Sequence, residues 1–488
     1  MAYGTPYLLS LGLTKSVMSL VWIAGPLSGL LMQPIVGVLS DRCTSKLGRR
    51  RPFIILGCIV VVMSLLVIGW TREITSLFTG GAQEGDTFKH VSIGIAIAAI
   101  YVLDFSINCI QASCRALLVD ALPPSLQEDG TAWAGRMVGL GNVIGYFMGY
   151  ADLVKAFPFL GNTQLKVLCV IACIVLVLSD IITCYAVTEK VLTKEPKKKK
   201  SWGAPFKALT DITTNIWNLP KPIRRICNVQ FFAWIGWFPF LFYSTTWVAE
   251  IYDQNAIPNG GSSTDGEDTM GQATRAGSFA FLVYSIVSLA ASFIIPWMVA
   301  PSYGDGDMDG TVGPTAWTVG HIIFLISMLA TVFVSNVVGA SIVIGICGIS
   351  WSLTMWAPFS LLGEYISEME EKRTAAVGGS IHDTSSSPYD AEHRIGINRH
   401  AMSSRFTTMT MNSNAPSAGV LLGIHNMYIV APQFLVTFFS SVMFHFLEKD
   451  ASKGEEASPD AIGVVLRFGA LMAGVAAFLS SRIGRSYK

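Results

Sequence analysis

Four polar side chains interrupt one apolar stretch, YVLDFSINCIQASCRALLVD, at Asp104, Asn108, Gln111 and Arg115. In a helix turning about 100° per residue, all four fall within about 60° of one another, on one face. An ionisable group deep in a bilayer costs at least about 2.5–3.5 kcal/mol to insert, so it faces a cavity or a partner. A carboxyl in that setting can take up and release a proton, because desolvation disfavours its charge and a nearby guanidinium favours it. Arg115 lies about 16 Å along the helix from Asp104. With the two amides it offers hydrogen-bond donors to a hydroxyl-rich ligand. The bland alternative is a polar network paired within itself. Weaker candidates follow in other apolar runs: Asn142 in GLGNVIGYFMG, and His425, Asn426 and Gln433 in LLGIHNMYIVAPQF. A packed His425 and a liganding His425 fit that run equally well. The run FFAWIGWFPFLFYSTTWVAE is crowded with aromatic rings. Trp234, Trp237 and Trp247 can stack on a ligand's apolar faces, although helix packing is the commoner use of such rings.

A second constellation is GVLSDRCTSKLGRRRP, residues 37–52. Its chemistry-bearing positions are Gly37, Asp41, Arg42, Gly48, Arg49, Arg50 and Arg51. A short loop can set Asp41 against Arg42 or the arginine run. Such a charge cluster can hold two helical bundles together in one conformation and release them in another. A plain topological anchor explains the arginines. It explains Asp41 and the two glycines less well.

The elements that position these groups are apolar and long. The chain has 488 residues, of which 51% are hydrophobic and 14% charged, with a formal charge of +1. Mean hydropathy is +0.50. Soluble proteins carry about 25% charged residues. This composition argues against a soluble enzyme, a disordered chain and a nucleic-acid binder. A spanning helix needs about 20 mostly apolar residues. Eleven segments qualify, at 16–39, 53–70, 91–121, 132–151, 165–187, 225–248, 274–299, 316–336, 339–363, 417–446 and 460–481. Most of the 34 Lys and Arg fall on alternate connections, on the side holding residues 41–51, which makes that side cytoplasmic. The run KEPKKKK at 194–200 lies in a basic central loop, 188–224. It separates an N-terminal bundle, 1–187, from a C-terminal bundle, 225–488. The connection 364–416 is rich in Ser, Thr, Gly and charge and reads as disordered. The nine cysteines show neither CxxC nor zinc spacing and read as small apolar side chains. No GxxxxGK[ST], HExxH or GxSxG motif is present, so neither an enzyme nor a built-in nucleotide site is expected. No cofactor and no metal is expected either.

SDRCTSKLGRRRPF resembles the motif of sucrose transporters of the glycoside–pentoside–hexuronide group, within the major facilitator superfamily. Further similarities are the LD…N of the 91–121 segment followed by SCRALLVD, then GNVIGY, WFPFLFYSTTW and NMYIVAPQ, with the aromatic run closer to fungal members. The resemblance runs from about Ala2 to the C-terminus. It implies an all-α polytopic membrane protein with two six-helix bundles working by alternating access. It also implies proton-coupled uptake of sucrose or a maltose-like α-glucoside. A monomer is expected, in the plasma membrane or alternatively the vacuolar membrane. On the resemblance, Asp104 is the proton and sugar site and Arg115 contributes to sugar binding. Asn108, Gln111, Asn142, Asn426 and Trp237 complete the expected binding set. Three departures stand out. Lys15 occupies the place of a plant-type histidine. Ala249 and Thr245 stand where plant members carry charges beside the acid kept here as Glu250. The first helix, residues 1–13, is too short to span, so an upstream coding segment is expected and the 488-residue form should transport poorly. Two rivals stay open: a sugar sensor that binds without turnover, and a passive facilitator.

Overall fold

A computed structural model of the chain describes residues 4–41, 43–81, 84–122, 127–189, 219–256, 266–299, 312–382, 418–451 and 460–484. Among them every regular element is helical. The N-terminal half comprises α1 (Gly4–Ser10), α2 (Lys15–Val21), α3 (Ala24–Asp41), α4 (Arg51–Gly69), α5 (Thr71–Phe78), α6 (Asp86–Ala121), α7 (Gln127–Tyr150), α8 (Leu153–Ala156) and α9 (Gln164–Ala186). The C-terminal half comprises α10 (Lys221–Ala256), α11 (Gly266–Val299), α12 (Val312–Ala330), α13 (Val337–His382), α14 (Ala418–Ala451) and α15 (Ala461–Gly484). Ten stretches are long and apolar enough to cross a membrane, which makes this an integral, multi-pass membrane protein.

Three expectations need correction. The segment at 16–39 holds one of the ten stretches, Lys15–Gly37, but its helix is interrupted. Pro26 has no N–H to give to the carbonyl of Trp22, and its ring clashes there, so the helix breaks at Trp22–Ile23 and restarts as α3. The segment at 132–151 is helical but is not among the ten apolar stretches, because glycines and polar residues dilute it. The connection 364–416 is not structureless throughout: α13 runs into it as far as His382, and 383–417 lies outside the described residues. The basic run 194–200 also lies outside them.

Packing divides the molecule unequally along its length. On the side away from the arginines, one apolar core spans both halves. It joins Leu8, Met18, Trp22, Ala96 and Ile100 to Trp237, Phe242 and Trp247. Trp22 stacks on Phe242 across the halves at 5.8 Å and 10°, and Tyr146 meets Phe281 at 5.1 Å. Toward the basic side the cores separate. Cys58, Val61 and Ile110 cluster in the N-terminal half, and Ile223, Cys227, Leu362 and Leu421 cluster in the C-terminal half. The core shared by the halves therefore lies toward the outer end, and nearer the basic end they still meet along α7 and α11, where Arg136 lies over the Phe293 ring at 5.0 Å.

The C-terminal half is held by very close helix approach. A Cβ on Gly236 of α10 would lie 2.7 Å from the backbone oxygen of Gly469, and one on Gly469 would lie 2.9 Å from that of Gly236. Backbone cannot give way as a side chain can. Gly236→Ala should therefore destabilise the protein by about 1–3 kcal/mol, the usual cost of overpacking. Thermal unfolding of the purified variant checks this, and an unchanged midpoint would contradict the close crossing.

Candidate functional site

The stripe predicted on the segment at 91–121 is carried by α6, a 36-residue helix. Its last turn closes on Leu118 and it stops at Leu122, just before Pro123 and Pro124, which disfavour further helix. α6 packs chiefly on α3, α4, α5 and α7 within its own half. Asn108 Nδ2 donates to Ser28 Oγ on α3 at 2.9 Å and to the Asp104 carbonyl oxygen at 3.0 Å. A Cβ on Gly29 would sit 3.6 Å from Asn108 Oδ1, so α3 approaches this face closely. Asp104 and Asn108 are half-buried, whereas Gln111 and Arg115 are exposed. Exposure thus rises toward the basic end, as a cleft widening in that direction requires. Among the described residues the Asp104 carboxylate has no hydrogen-bond or ion-pair partner. Among the described residues the four side chains make no bond to one another; the one link between them runs from Asn108 to the Asp104 backbone.

The remaining predicted residues separate into two groups. Asn142 is exposed on α7, the helix that packs on α11 across the halves. Asn426 is half-buried on α14, which packs on α2 and α3 across the other seam. Gln433 lies on the same helix and reaches α3: a Cβ on Gly25 would stand 3.0 Å from its Nε2. Trp237 is different. It is only 1% exposed, donates to Thr354 Oγ1 at 3.2 Å, and packs on Phe324 at 4.2 Å and Trp351 at 5.0 Å. That places its ring inside the C-terminal half instead of on the cleft, a correction to the expected stacking role. Trp234 and Trp247 are likewise buried, with Trp247 Nε1 donating to Asp460 at 3.4 Å. His425 is buried against the edge of Phe359, its Nε2 3.3 Å from Gln230 Nε2.

The arginine motif builds a compact ionic knot. Gly48 has φ +108°, a region only glycine enters easily, and a Cβ there would also strike Glu189. The chain then turns into α4 with three consecutive backbone N–H groups aimed at one carboxylate. Arg49 N and Arg50 N donate to Glu189 Oε2 at 2.6 and 2.8 Å, and Arg51 N donates to Oε1 at 3.0 Å. An acid at a helix N-terminus satisfies orphan donors and complements the helix dipole. Arg50 Nε donates to Asp120 Oδ2 on α6 at 2.9 Å, and Arg49 Nη2 lies 3.1 Å from the same oxygen. Arg50 also donates to Ser40 Oγ on α3. These bonds join α3, α4, α6 and the residues after α9, all within the N-terminal half. Arg42 and the side chain of Asp41 lie outside the described residues. Gly37 has open space around its Cβ position, so packing here does not require a glycine. Sequence reading missed Glu189 and Asp120, which stand far from the motif in the chain.

At the opposite end, ion pairs cross between the halves. Lys15 Nζ on α2 lies 2.5 Å from Glu250 Oε1 on α10. Arg275 on α11 donates from Nε to the Tyr150 carbonyl oxygen at 2.9 Å, and its Nη1 lies 3.3 Å from Asp152. Hydrogen bonding to Lys155 and the nearby Arg275 charge hold the Asp152 carboxyl below its ordinary range. A depressed carboxyl supports its pairs at neutral pH and loses them as pH falls through its folded value. Ser16 donates to the Ser441 carbonyl oxygen at 3.1 Å on the same seam. Lys15 and Glu250, two positions where the sequence departs from or keeps the plant pattern, are thus partners.

Residues 1–386 match the Major Facilitator Superfamily. The chain is 33% identical to the general alpha-glucoside permease of Schizosaccharomyces pombe, over 98% of this chain and 89% of that protein. It is 32% identical to the sucrose transport protein SUT1 of Oryza sativa subsp. japonica, over 68% of this chain and 62% of that one. Among solved structures, the nucleoside transporter NupG has a TM-score of 0.56 at 10% identity, covering 99% of this chain and 94% of its own. The partially occluded, inward-open xylose transporter XylE of E. coli has a TM-score of 0.53 at 12% identity, with 98% and 94% covered. These two likenesses bear on the fold alone. Family match, relatives and helix arrangement agree, and the chain belongs to the Major Facilitator Superfamily.

Proposed function

We propose that this protein carries a disaccharide, sucrose or a maltose-like α-glucoside, together with a proton by alternating access between its two halves. The observation that carries the reading is Asp104: an acid within a spanning helix, without a partner among the described residues, on a stripe with Asn108, Gln111 and Arg115. Such an acid can hold the coupled proton while the amides and the guanidinium bind hydroxyls. Asn142 and Asn426 supply further polar groups from the two seams. The names of the relatives support an α-glucoside or sucrose as cargo. The protein works as a monomer in the plasma membrane. Expression in transport-deficient yeast tests this, with labelled sucrose or maltose challenged by trehalose and glucose, with and without an uncoupler. Competition by a disaccharide and loss of accumulation on uncoupling support it. Sugar binding without uptake would point to a sensor, and uptake indifferent to the uncoupler to a facilitator.

Two substitutions separate the roles. Arg115→Lys keeps the charge but replaces a rigid fork of donors with a mobile point charge. Initial sugar uptake should fall about tenfold, the worth of one hydrogen bond. Wild-type affinity and rate would show that charge alone suffices. The gate role of Asp41 predicts that Asp41→Asn lowers the maximal rate more than it raises the half-saturation concentration. A normal maximal rate with a greatly raised half-saturation concentration would contradict it.

A further inference from the structure

Arg136 is a cation at membrane level that neither the cleft stripe nor the basic knot uses. It lies on α7, the helix that packs on α11 across the halves. Its guanidinium stands over two rings, Trp133 of its own helix at 5.1 Å and Phe293 of α11 at 5.0 Å. Among the described residues it makes no hydrogen bond and no ion pair. Ring faces attract its charge but leave its five N–H donors unused. α11 fixes its depth. That helix runs from the outer Arg275 contacts toward the basic side, and its membrane-spanning stretch ends at Ile295. Phe293 stands about 3 Å inside that end. The guanidinium therefore sits at the basic-side edge of the hydrocarbon, where a long cationic side chain reaches for the interface.

The surface beside it is apolar and open. On α7, Trp133, Leu140 and Phe147 recur at seven-residue steps, which keeps them on one flank. On α11, Phe279, Ile286 and Phe293 do the same, and all six are exposed. The two helices run in opposite directions. Arg136 meets Phe293 at one end, and the Tyr150 and Phe279 rings lie 5.1 Å apart at the other. Between these contacts a Cβ on Gly139 would stand 3.0 Å from Leu289 Cδ1, so the helices approach closely. Both stripes thus border one side of the seam. Asn142 lies about 160° around α7 from Leu140, on the other side. From Trp133 to Phe147 the seam extends about 21 Å, more than the roughly 15 Å of one leaflet's hydrocarbon. A cation at the headgroup end of an open apolar seam matches a phospholipid. Its phosphate can take a bidentate pair of hydrogen bonds from a guanidinium. A sterol brings no anion, and a soluble phosphate brings no chain.

We propose that the α7–α11 seam binds a glycerophospholipid, with its phosphate on Arg136 and an acyl chain along the two stripes. Trp133 belongs to one half and Phe293 to the other, so the bound lipid touches both. The test uses the full chain in detergent with phosphatidylglycerol carrying a photoactivatable acyl chain. Diacylglycerol with the same chain, which lacks the phosphate, is the comparison, and peptide mass spectrometry reads the labelled positions. Saturable labelling within 133–147 and 279–293 is expected. Diacylglycerol should need about tenfold more lipid, the worth of one hydrogen bond to a charged group. Unlabelled phosphatidylglycerol should displace the label, and glycerol phosphate should not. Arg136→Gln should bring phosphatidylglycerol down to the level of diacylglycerol and leave diacylglycerol unchanged. Equal labelling of the seam by the two lipids, or no saturable labelling there, would overturn the proposal. So would displacement by glycerol phosphate, which would mark a site for a soluble anion. The wild-type comparison needs no variant to fold.

Discussion

Replacing Asp104 by asparagine is expected to reduce sugar accumulation from tens-fold to parity with the medium. Moving one elementary charge through 100 mV supplies about 2.3 kcal/mol. At 1.4 kcal/mol per tenfold, that drives a gradient of roughly 40-fold. Asparagine has nearly the shape of aspartate and still offers an oxygen to a sugar hydroxyl, but it cannot carry the proton. The Asp104 carboxylate has no partner among the described residues to release, so the substitution orphans no buried charge and the protein should fold and reach the membrane. Downhill exchange of labelled for unlabelled sugar should persist. A mutant that still concentrates sugar would remove Asp104 as the coupling group.

Glu189→Ala should be the most destabilising change in the basic knot, by about 3–5 kcal/mol, the range for removing one partner of a buried ionic contact. Its carboxylate accepts from the backbone N–H groups of Arg49, Arg50 and Arg51 and lies beside the Arg51 guanidinium. Alanine leaves the start of α4 without that acceptor, and Arg50 supplies no side-chain cap of its own. Against a total stability of about 5–15 kcal/mol, that loss should sharply lower the yield of folded protein. Glu189→Gln keeps an acceptor oxygen and should recover much of it. Thermal unfolding of the three purified forms checks the order: wild type above Gln above Ala. An alanine variant as stable as the wild type would show that the contact is incidental.

The stripe on α6 was legible because helical periodicity fixes which side chains share a face, whatever the neighbours are. The spans were legible because apolar length is written locally. What periodicity cannot give is the neighbour. Trp237 looks like a stacking platform until Thr354, Phe324 and Trp351 are seen to enclose it. The arginine motif announced an ionic site, but its acids, Asp120 and Glu189, come from other helices and carry no local mark. Lys15 and Glu250 were each noticeable, yet only the closure of the halves makes them a pair. Pro26 was visible as a residue that membrane helices tolerate. Its cost was met here by breaking the helix at Trp22–Ile23. The extension of α13 to His382 failed for the opposite reason. Its polar composition resembles a loop, while the run SEMEEKRTAA carries good helix formers that continue an existing helix without paying for a new nucleus.

A proton gradient is expected to drive a disaccharide through the cleft beside Asp104. Purified protein in proteoliposomes, with the outside made acidic relative to the lumen, tests it most directly. Labelled sucrose or maltose should rise inside above its outside concentration and fall back to equality when a protonophore is added. Uptake that stops at equal concentrations with or without the gradient would contradict proton coupling, and binding with no uptake at all would contradict transport.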